Sequence, residues 1–141
     1  MNSERGWIKA FRLFSLGMAG VFIIVGGIFL FSPRSVYAFF NAVSLRLNLT
    51  PAPEVGANFF LILTSAYMYV VALLAFFIYR YPQEKRLSLL LCQAKLFSAL
   101  VSLGFWLLLQ PFLMYLTNAI VDGSIGAVYG LAYLQLRRLD S

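Results

Sequence analysis

Asp122 is the residue whose type and position point most directly to chemistry. It lies in the last of four long apolar runs, where an acidic side chain is costly in hydrocarbon and usually faces a protein or water interior. At helical spacing, a line of polar side chains follows this run: Asn118, Asp122, Tyr129 and Tyr133. The line predicts a strip that binds a cation, carries a proton or holds a ligand headgroup. The alternative interpretation is an acid near a helix N-terminus, favoured by the helix dipole and reached by water.

Lys95 is a second charge within an apolar run. With Ser98 and Ser102 it forms a line at spacings of three and seven residues on the preceding run. A lysine stem is long enough to carry its ammonium group to the nearer interface, which requires no function. Lys95 and Asp122 are expected near opposite surfaces, so the sequence does not predict an ion pair between them.

The second apolar run contains further polar groups, among them Tyr67. Ser65 and Tyr69 lie one turn apart on this run. Buried hydroxyl groups need hydrogen-bond partners. These two side chains are therefore expected to share a polar interior with the Asp122 strip.

The residue types that most often carry catalysis or bind metals are scarce. The chain has no His and one Cys, Cys92, which excludes imidazole ligation, paired thiolates and disulfides. Gly-rich phosphate loops, Ser/His/Asp arrangements and paired carboxylates are also absent from the sequence. The sequence therefore predicts no catalytic residue, no metal site and no cofactor, and an enzyme is the least expected class of function.

The elements that would position these side chains are membrane spans. Of 141 residues, 62% are hydrophobic and 11% are charged, so lipid must be the main solvent of a single domain, 1–141. Each of four apolar runs reaches the roughly 20 residues that a helix needs to cross a bilayer. They predict an all-α, polytopic membrane four-helix bundle with spans at about 11–31, 57–80, 87–109 and 114–136.

The boundary between the last two spans rests on Gln110 and Pro111. One helix from Leu87 to Leu136 would be about 75 Å long, far more than a bilayer accommodates. A tight hairpin is therefore expected near Gln110, with Thr117 and Asn118 as caps of the fourth helix.

The connection between the first two spans, 33–55, predicts a short amphipathic helix on the outer surface. Its apolar side chains fall on one side (Val36, Phe39, Phe40, Val43 and Leu47), with Asn41, Ser44 and Asn48 largely opposite. This helix is interpreted either as a lid that closes the bundle or as a docking element for a partner.

The cationic side chains predict the topology. Eight Lys and Arg residues flank the spans on the side of the two termini, whereas Arg34 and Arg46 are the two on the other side. The positive-inside rule therefore places both termini in the cytoplasm. The same clustering beside apolar runs accounts for the net charge of +6 without nucleic acid as a partner.

Glycines predict where helices approach one another closely. Gly17, Gly20 and Gly27 share one face of the first span, and Gly126 and Gly130 form a GxxxG motif in the fourth. Small residues let backbones come together in lipid. The two interpretations are packing within the bundle and dimerisation.

Three short motifs resemble the small DoxX-like bacterial membrane proteins. They are Phe31-Ser-Pro33 closing the first span, Pro53-Glu-Val-Gly-Ala57 opening the second and Asp122-Gly-Ser-Ile-Gly126 opening the fourth. The resemblance implies a multi-pass protein of the bacterial inner (plasma) membrane. That family includes proteins associated with quinone-linked sulfur oxidation.

The leading functional hypothesis is a non-enzymatic accessory or structural subunit of a larger membrane complex or homo-oligomer. Its expected partners are the lipid bilayer and either another membrane protein or a second copy of the chain. The alternative is a small transporter, channel or quinone- or lipid-binding protein that uses the polar strip of the fourth span.

Overall fold

A computed structural model describes residues 2–53 and 57–139, and in these ranges it contains five helices and no strand. The helices are α1 (Asn2–Phe31), α2 (Pro33–Arg46), α3 (Ala57–Arg80), α4 (Lys85–Leu108) and α5 (Leu113–Leu139). Four segments are long and apolar enough to cross a membrane: Gly6–Phe31, Ile62–Arg80, Lys85–Leu108 and Leu113–Leu139. The predicted all-α polytopic bundle, with a short helix between its first two spans, is confirmed.

The ends of the long helices follow from local chemistry. α4 begins where the Glu84 side chain accepts a hydrogen bond from the Arg86 amide at 3.3 Å. It ends at Leu108, and the Gln110 amide still donates to the Phe105 carbonyl at 3.2 Å. Pro111 has no amide proton with which to continue the ladder, so the predicted hairpin is confirmed.

One helix extends beyond its predicted span, and the start of another differs from the prediction. α1 begins at Asn2, because its polar first turns continue the helix outside the apolar run at about 11–31. α5 begins at Leu113, so Thr117 and Asn118 are not caps but lie within the helix. At this start the Tyr115 amide donates to the Phe112 carbonyl at 3.0 Å.

α2 packs on α1 and α5, but not by the whole apolar stripe. Val36 is buried, and so is Ser44, which the sequence placed on the polar side. Phe39 and Leu47 remain 64% and 56% exposed, so part of the stripe faces away from the bundle, where lipid is available. Residues 54 and 55 of the predicted outer segment lie outside the described residues.

The connection after α2 is held by a turn and an amide. Asn48 has a φ of 55°, a left-handed conformation, and the Leu49 amide donates back to the Ser44 carbonyl at 2.9 Å. The Asn41 amide nitrogen donates to the Ala52 carbonyl at 3.1 Å, and its oxygen accepts from the Ala52 amide at 2.8 Å. These bonds fold the segment back along α2.

The long helices pack as two antiparallel pairs, α1 with α3 and α4 with α5. α1 turns a buried face to the interior at positions 11, 15, 19, 22 and 26, a helical spacing. A Cβ added to Gly26 would lie 3.0 Å from the Met68 Cβ, which marks the close approach to α3. Near the chain termini, Arg12 Nε donates to the Tyr79 carbonyl at 3.1 Å, which is a second contact between α1 and α3.

The predicted packing glycines therefore divide into two groups. A Cβ on Gly126 would meet the Leu96 side chain at 2.9 Å, and one on Gly130 the Cys92 Sγ at 3.1 Å, so both lie against α4. Around Gly17, Gly20 and Gly27 nothing lies within 4 Å of an added Cβ. The interpretation that these three glycines allow close packing within the bundle is therefore wrong, because α3 meets the adjacent face of α1, at Gly26.

The core fills one part of the bundle. We call the end that carries α2 and the Gln110–Pro111 hairpin the α2 end, and the opposite end the terminal end. Fully buried side chains of α3, α4 and α5 extend from the terminal end to Val71, Lys95 and Asp122. Beyond that level, the described side chains of these helices are half-buried or exposed. Packing is thus tighter towards the terminal end.

Candidate functional site

Lys95 and Asp122 form an ion pair in the middle of the bundle. Lys95 Nζ lies 2.8 Å from Asp122 Oδ1, and the two side chains are 0% and 4% exposed. The expectation that these residues do not pair is wrong. Leu96 faces Gly126, and in an antiparallel pair Lys95 is then level with residue 127. Asp122 is five residues away, about 7.5 Å along the axis at 1.5 Å per residue, within reach of a lysine stem. The stem extends towards Asp122 rather than towards the nearer interface.

Aromatic rings from the other helix pair complete the surroundings of the ammonium group. Lys95 Nζ lies 4.3 Å from the centroid of the Phe22 ring and 5.1 Å from that of Tyr67. Ring faces attract cations, so these contacts favour the charged lysine. With Phe22 on α1, Tyr67 on α3, Lys95 on α4 and Asp122 on α5, all four long helices meet at this point.

The sequence did not single out Phe22 or Tyr67 as partners of a charge. A phenylalanine in an apolar run carries no signal, although Phe22 belongs to the helical pattern of buried positions on α1. For α3 the sequence favoured Ser65 and Tyr69, but Tyr69 is 63% exposed and Ser65 Oγ bonds the Gly26 carbonyl at 3.5 Å. The expectation that they join the Asp122 strip is wrong, because Tyr67 is the side chain of α3 that contacts Lys95.

Asn118 links α5 to the polar line of α4 one turn beyond the ion pair. Its amide nitrogen donates to Ser98 Oγ at 3.1 Å and to Ser102 Oγ at 2.8 Å. The Lys95, Ser98 and Ser102 line therefore faces the Asn118 and Asp122 line along one seam. The sequence identified both lines, and the structure places them opposite each other.

The rest of the strip does not join this seam. Tyr129 is fully buried, and its hydroxyl lies 3.4 Å from Ser15 Oγ on α1. Its ring lies 5.7 Å from that of Phe11 and 5.7 Å from that of Phe14. Tyr133, one turn further, is half-buried and contributes to none of these contacts. The predicted strip is thus divided between two neighbouring helices.

The site holds two opposite charges, on Lys95 and Asp122, that compensate each other. A buried ion pair costs desolvation, and its attraction offsets that cost only while both partners remain. Asp122 Oδ1 is occupied by the Lys95 ammonium group. Among residues 2–53 and 57–139, no three His, Cys, Asp or Glu side chains come together as ligands.

The chain matches no protein-family model, no curated protein and no solved structure. The resemblance to DoxX-like proteins therefore stays a prediction from sequence motifs. The roles of Lys95, Asp122 and their neighbours rest on the geometry described above.

Proposed function

We propose that the chain is a non-enzymatic membrane protein that serves as an accessory or structural subunit, packed against another membrane protein or a second copy of itself. The observation that carries this proposal is that the polar side chains in and beside the ion pair are bonded to each other, whereas, among the described residues, Ser88 Oγ and Trp106 Nε1 are buried without a hydrogen-bond partner. Lys95 is hydrogen-bonded to Asp122, Asn118 to Ser98 and Ser102, and Tyr129 to Ser15. Groups used in this way hold helices together rather than await a substrate.

The glycine face of α1, formed by Gly17, Gly20 and Gly27, supports a partner. Within the chain nothing lies within 4 Å of a Cβ added at these positions, so their small size is not needed for packing in the bundle. In lipid, close backbone approach is a main source of helix association. The face is therefore available to a helix of another subunit.

The test compares Gly20→Leu with Gly104→Leu in protein purified from its native membrane in mild detergent. Nothing lies within 4 Å of a Cβ added at either glycine, so the first side-chain atom of each variant meets no other helix of the bundle. Wild type and Gly104→Leu are expected to run as a complex larger than the 15.9 kDa chain, and Gly20→Leu as the chain alone. A wild-type chain that is monomeric and free of partners contradicts the proposal.

The proposed location is the bacterial inner membrane, with both termini in the cytoplasm. Its supports are the eight Lys and Arg residues at the terminal end against two at the α2 end, and the DoxX-like motifs.

A small transporter, channel or quinone- or lipid-binding protein is the second candidate. The observation that favours it is a pair of charged side chains in the middle of a membrane bundle, a placement that often marks a pathway. The Lys95→Met/Asp122→Asn variant removes both charges and leaves neither unpaired. It is expected to abolish uptake, or binding of a short-chain quinone or phospholipid. Unchanged transport and binding would remove this candidate.

A further inference from the structure

The polar side chains between the ion pair and the α2 end face the interior of the bundle. Asn118 of α5 bonds Ser98 and Ser102 of α4, and the Tyr67 hydroxyl of α3 donates to the Ala94 carbonyl of α4 at 3.4 Å. At the same depth, the outer surface of the bundle carries apolar side chains such as Leu100, which is 68% exposed. The polar seam therefore lies away from the hydrocarbon.

These interior side chains are nevertheless accessible. Asn118, Ser98 and Ser102 are half-buried, whereas Lys95 at the foot of the seam is fully buried. Protein atoms thus leave part of each of these three residues uncovered. Uncovered polar groups within a bundle are costly unless water or protein bonds them, and a space lined by amide and hydroxyl groups holds water readily.

The opposite side of the ion pair is closed. Towards the terminal end the interior is filled by Leu91, Ile125 and Tyr129, all buried. Ala132 and Leu136 continue this core to the end of α5. The terminal side of Lys95 and Asp122 is therefore closed to water, and the polar residues that are not fully buried lie on the side of the α2 end.

We propose that the seam from Ser102 and Asn118 to Asp122 is the wall of a vestibule that opens at the α2 end, takes water and small water-soluble solutes, and ends at the Lys95–Asp122 pair. Water in this vestibule hydrates the charges from one side. It lowers the desolvation cost of keeping an ion pair in a membrane bundle. The vestibule needs no partner chain, so it stands independently of the proposed subunit role.

The test is thiol labelling in sealed membrane vesicles of both orientations. Cys92 is first replaced by Ala, and single cysteines are introduced as Ser102→Cys, Ser98→Cys and Ser88→Cys, nearly isosteric changes on one helix. Leu100→Cys is the lipid-facing control. A charged, membrane-impermeant thiosulfonate is added to one side at a time; it reacts with the thiolate, which forms in water and not in hydrocarbon.

Ser102→Cys and Ser98→Cys are expected to react at least about tenfold faster than Leu100→Cys, because only the vestibule supplies water to ionise the thiol. Their reaction is expected only when the reagent is on the side of the α2 end, and the fully buried Ser88→Cys is expected not to react from that side. Elution of each variant at the wild-type position in size-exclusion chromatography checks its fold. Equal rates at Ser98 and Leu100, or labelling of Ser98→Cys only from the terminal end, would overturn the proposal.

Discussion

At the scale of single residues, the molecule is organised around the buried ammonium group of Lys95. Lys95 is fully buried, and its ammonium contacts Asp122 Oδ1 and the rings of Phe22 and Tyr67. A lysine near an interface would extend to water, but this one is held by an acid on the facing helix. The pair thereby fixes the relative position of α4 and α5.

Removing one member of the pair should destabilise the bundle more than removing both. Lys95→Met or Asp122→Asn leaves a buried charge without its counter-ion, and a loss of about 3–5 kcal/mol is expected. The double variant Lys95→Met/Asp122→Leu should recover most of that loss. The measurement is the free energy of unfolding from denaturant titration in mild detergent micelles.

Ser124→Ala is the control for this series. The Ser124 hydroxyl is exposed and bonds the Ile120 carbonyl of its own helix at 2.7 Å. Its replacement should change stability by no more than about 0.5 kcal/mol. A double variant as unstable as the sum of the single variants would show that the two side chains do not act as a pair.

At the scale of the elements, glycines that look alike in the sequence have different surroundings in the structure. Gly126 lies against Leu96, whose backbone nitrogen would be 3.2 Å from an added Cβ. Gly17 is exposed and has nothing within 4 Å of that position. Both are helical, so alanine should favour the helix equally at the two sites. Only the space around them differs.

Gly126→Ala is expected to destabilise the chain by about 1–3 kcal/mol, because the α4 backbone must move away. Gly17→Ala should be neutral or stabilise it by up to about 1 kcal/mol through helix propensity. Thermal unfolding followed by circular dichroism in detergent compares the two. Equal effects would mean that α4 and α5 do not approach at Gly126.

At the scale of the whole molecule, two helix pairs meet around a core displaced towards the terminal end. That end also carries the Arg and Lys clusters, including Arg12, which holds the Tyr79 carbonyl of α3. Arg80, Arg137 and Arg138 lie in the last turns of their helices, where the helix dipole favours cations, and the positive-inside rule predicts a cytoplasmic position for the clusters. The tighter half of the bundle is therefore expected on the cytoplasmic side.

Protease protection in intact spheroplasts checks this orientation. Epitope tags at the N- and C-termini should survive external protease, whereas a tag inserted between Gln110 and Pro111 should be cleaved, because the hairpin joins α4 and α5 at the α2 end. Lysed spheroplasts provide the control in which every tag is accessible. Loss of a terminal tag in intact spheroplasts would contradict the cytoplasmic termini.

The sequence by itself determined the helices and the groups with chemical potential. Long apolar runs have one stable form in lipid, since every backbone polar group must be bonded internally. The charged residues at the junction of α3 and α4 (Arg80, Glu84, Lys85 and Arg86) and Pro111 set where these runs break. The polar lines of Lys95 and Asn118 follow from helical spacing.

Only the tertiary structure decided which of those groups meet. Helical spacing gives the face of a residue but not the neighbour of that face or its depth against another helix. Lys95 therefore paired with Asp122, Tyr67 rather than Tyr69 turned inward, and Gly26 rather than Gly27 met α3. Each outcome depends on an axial offset or rotation between helices, which is set by packing along the whole contact and not by any local run of residues.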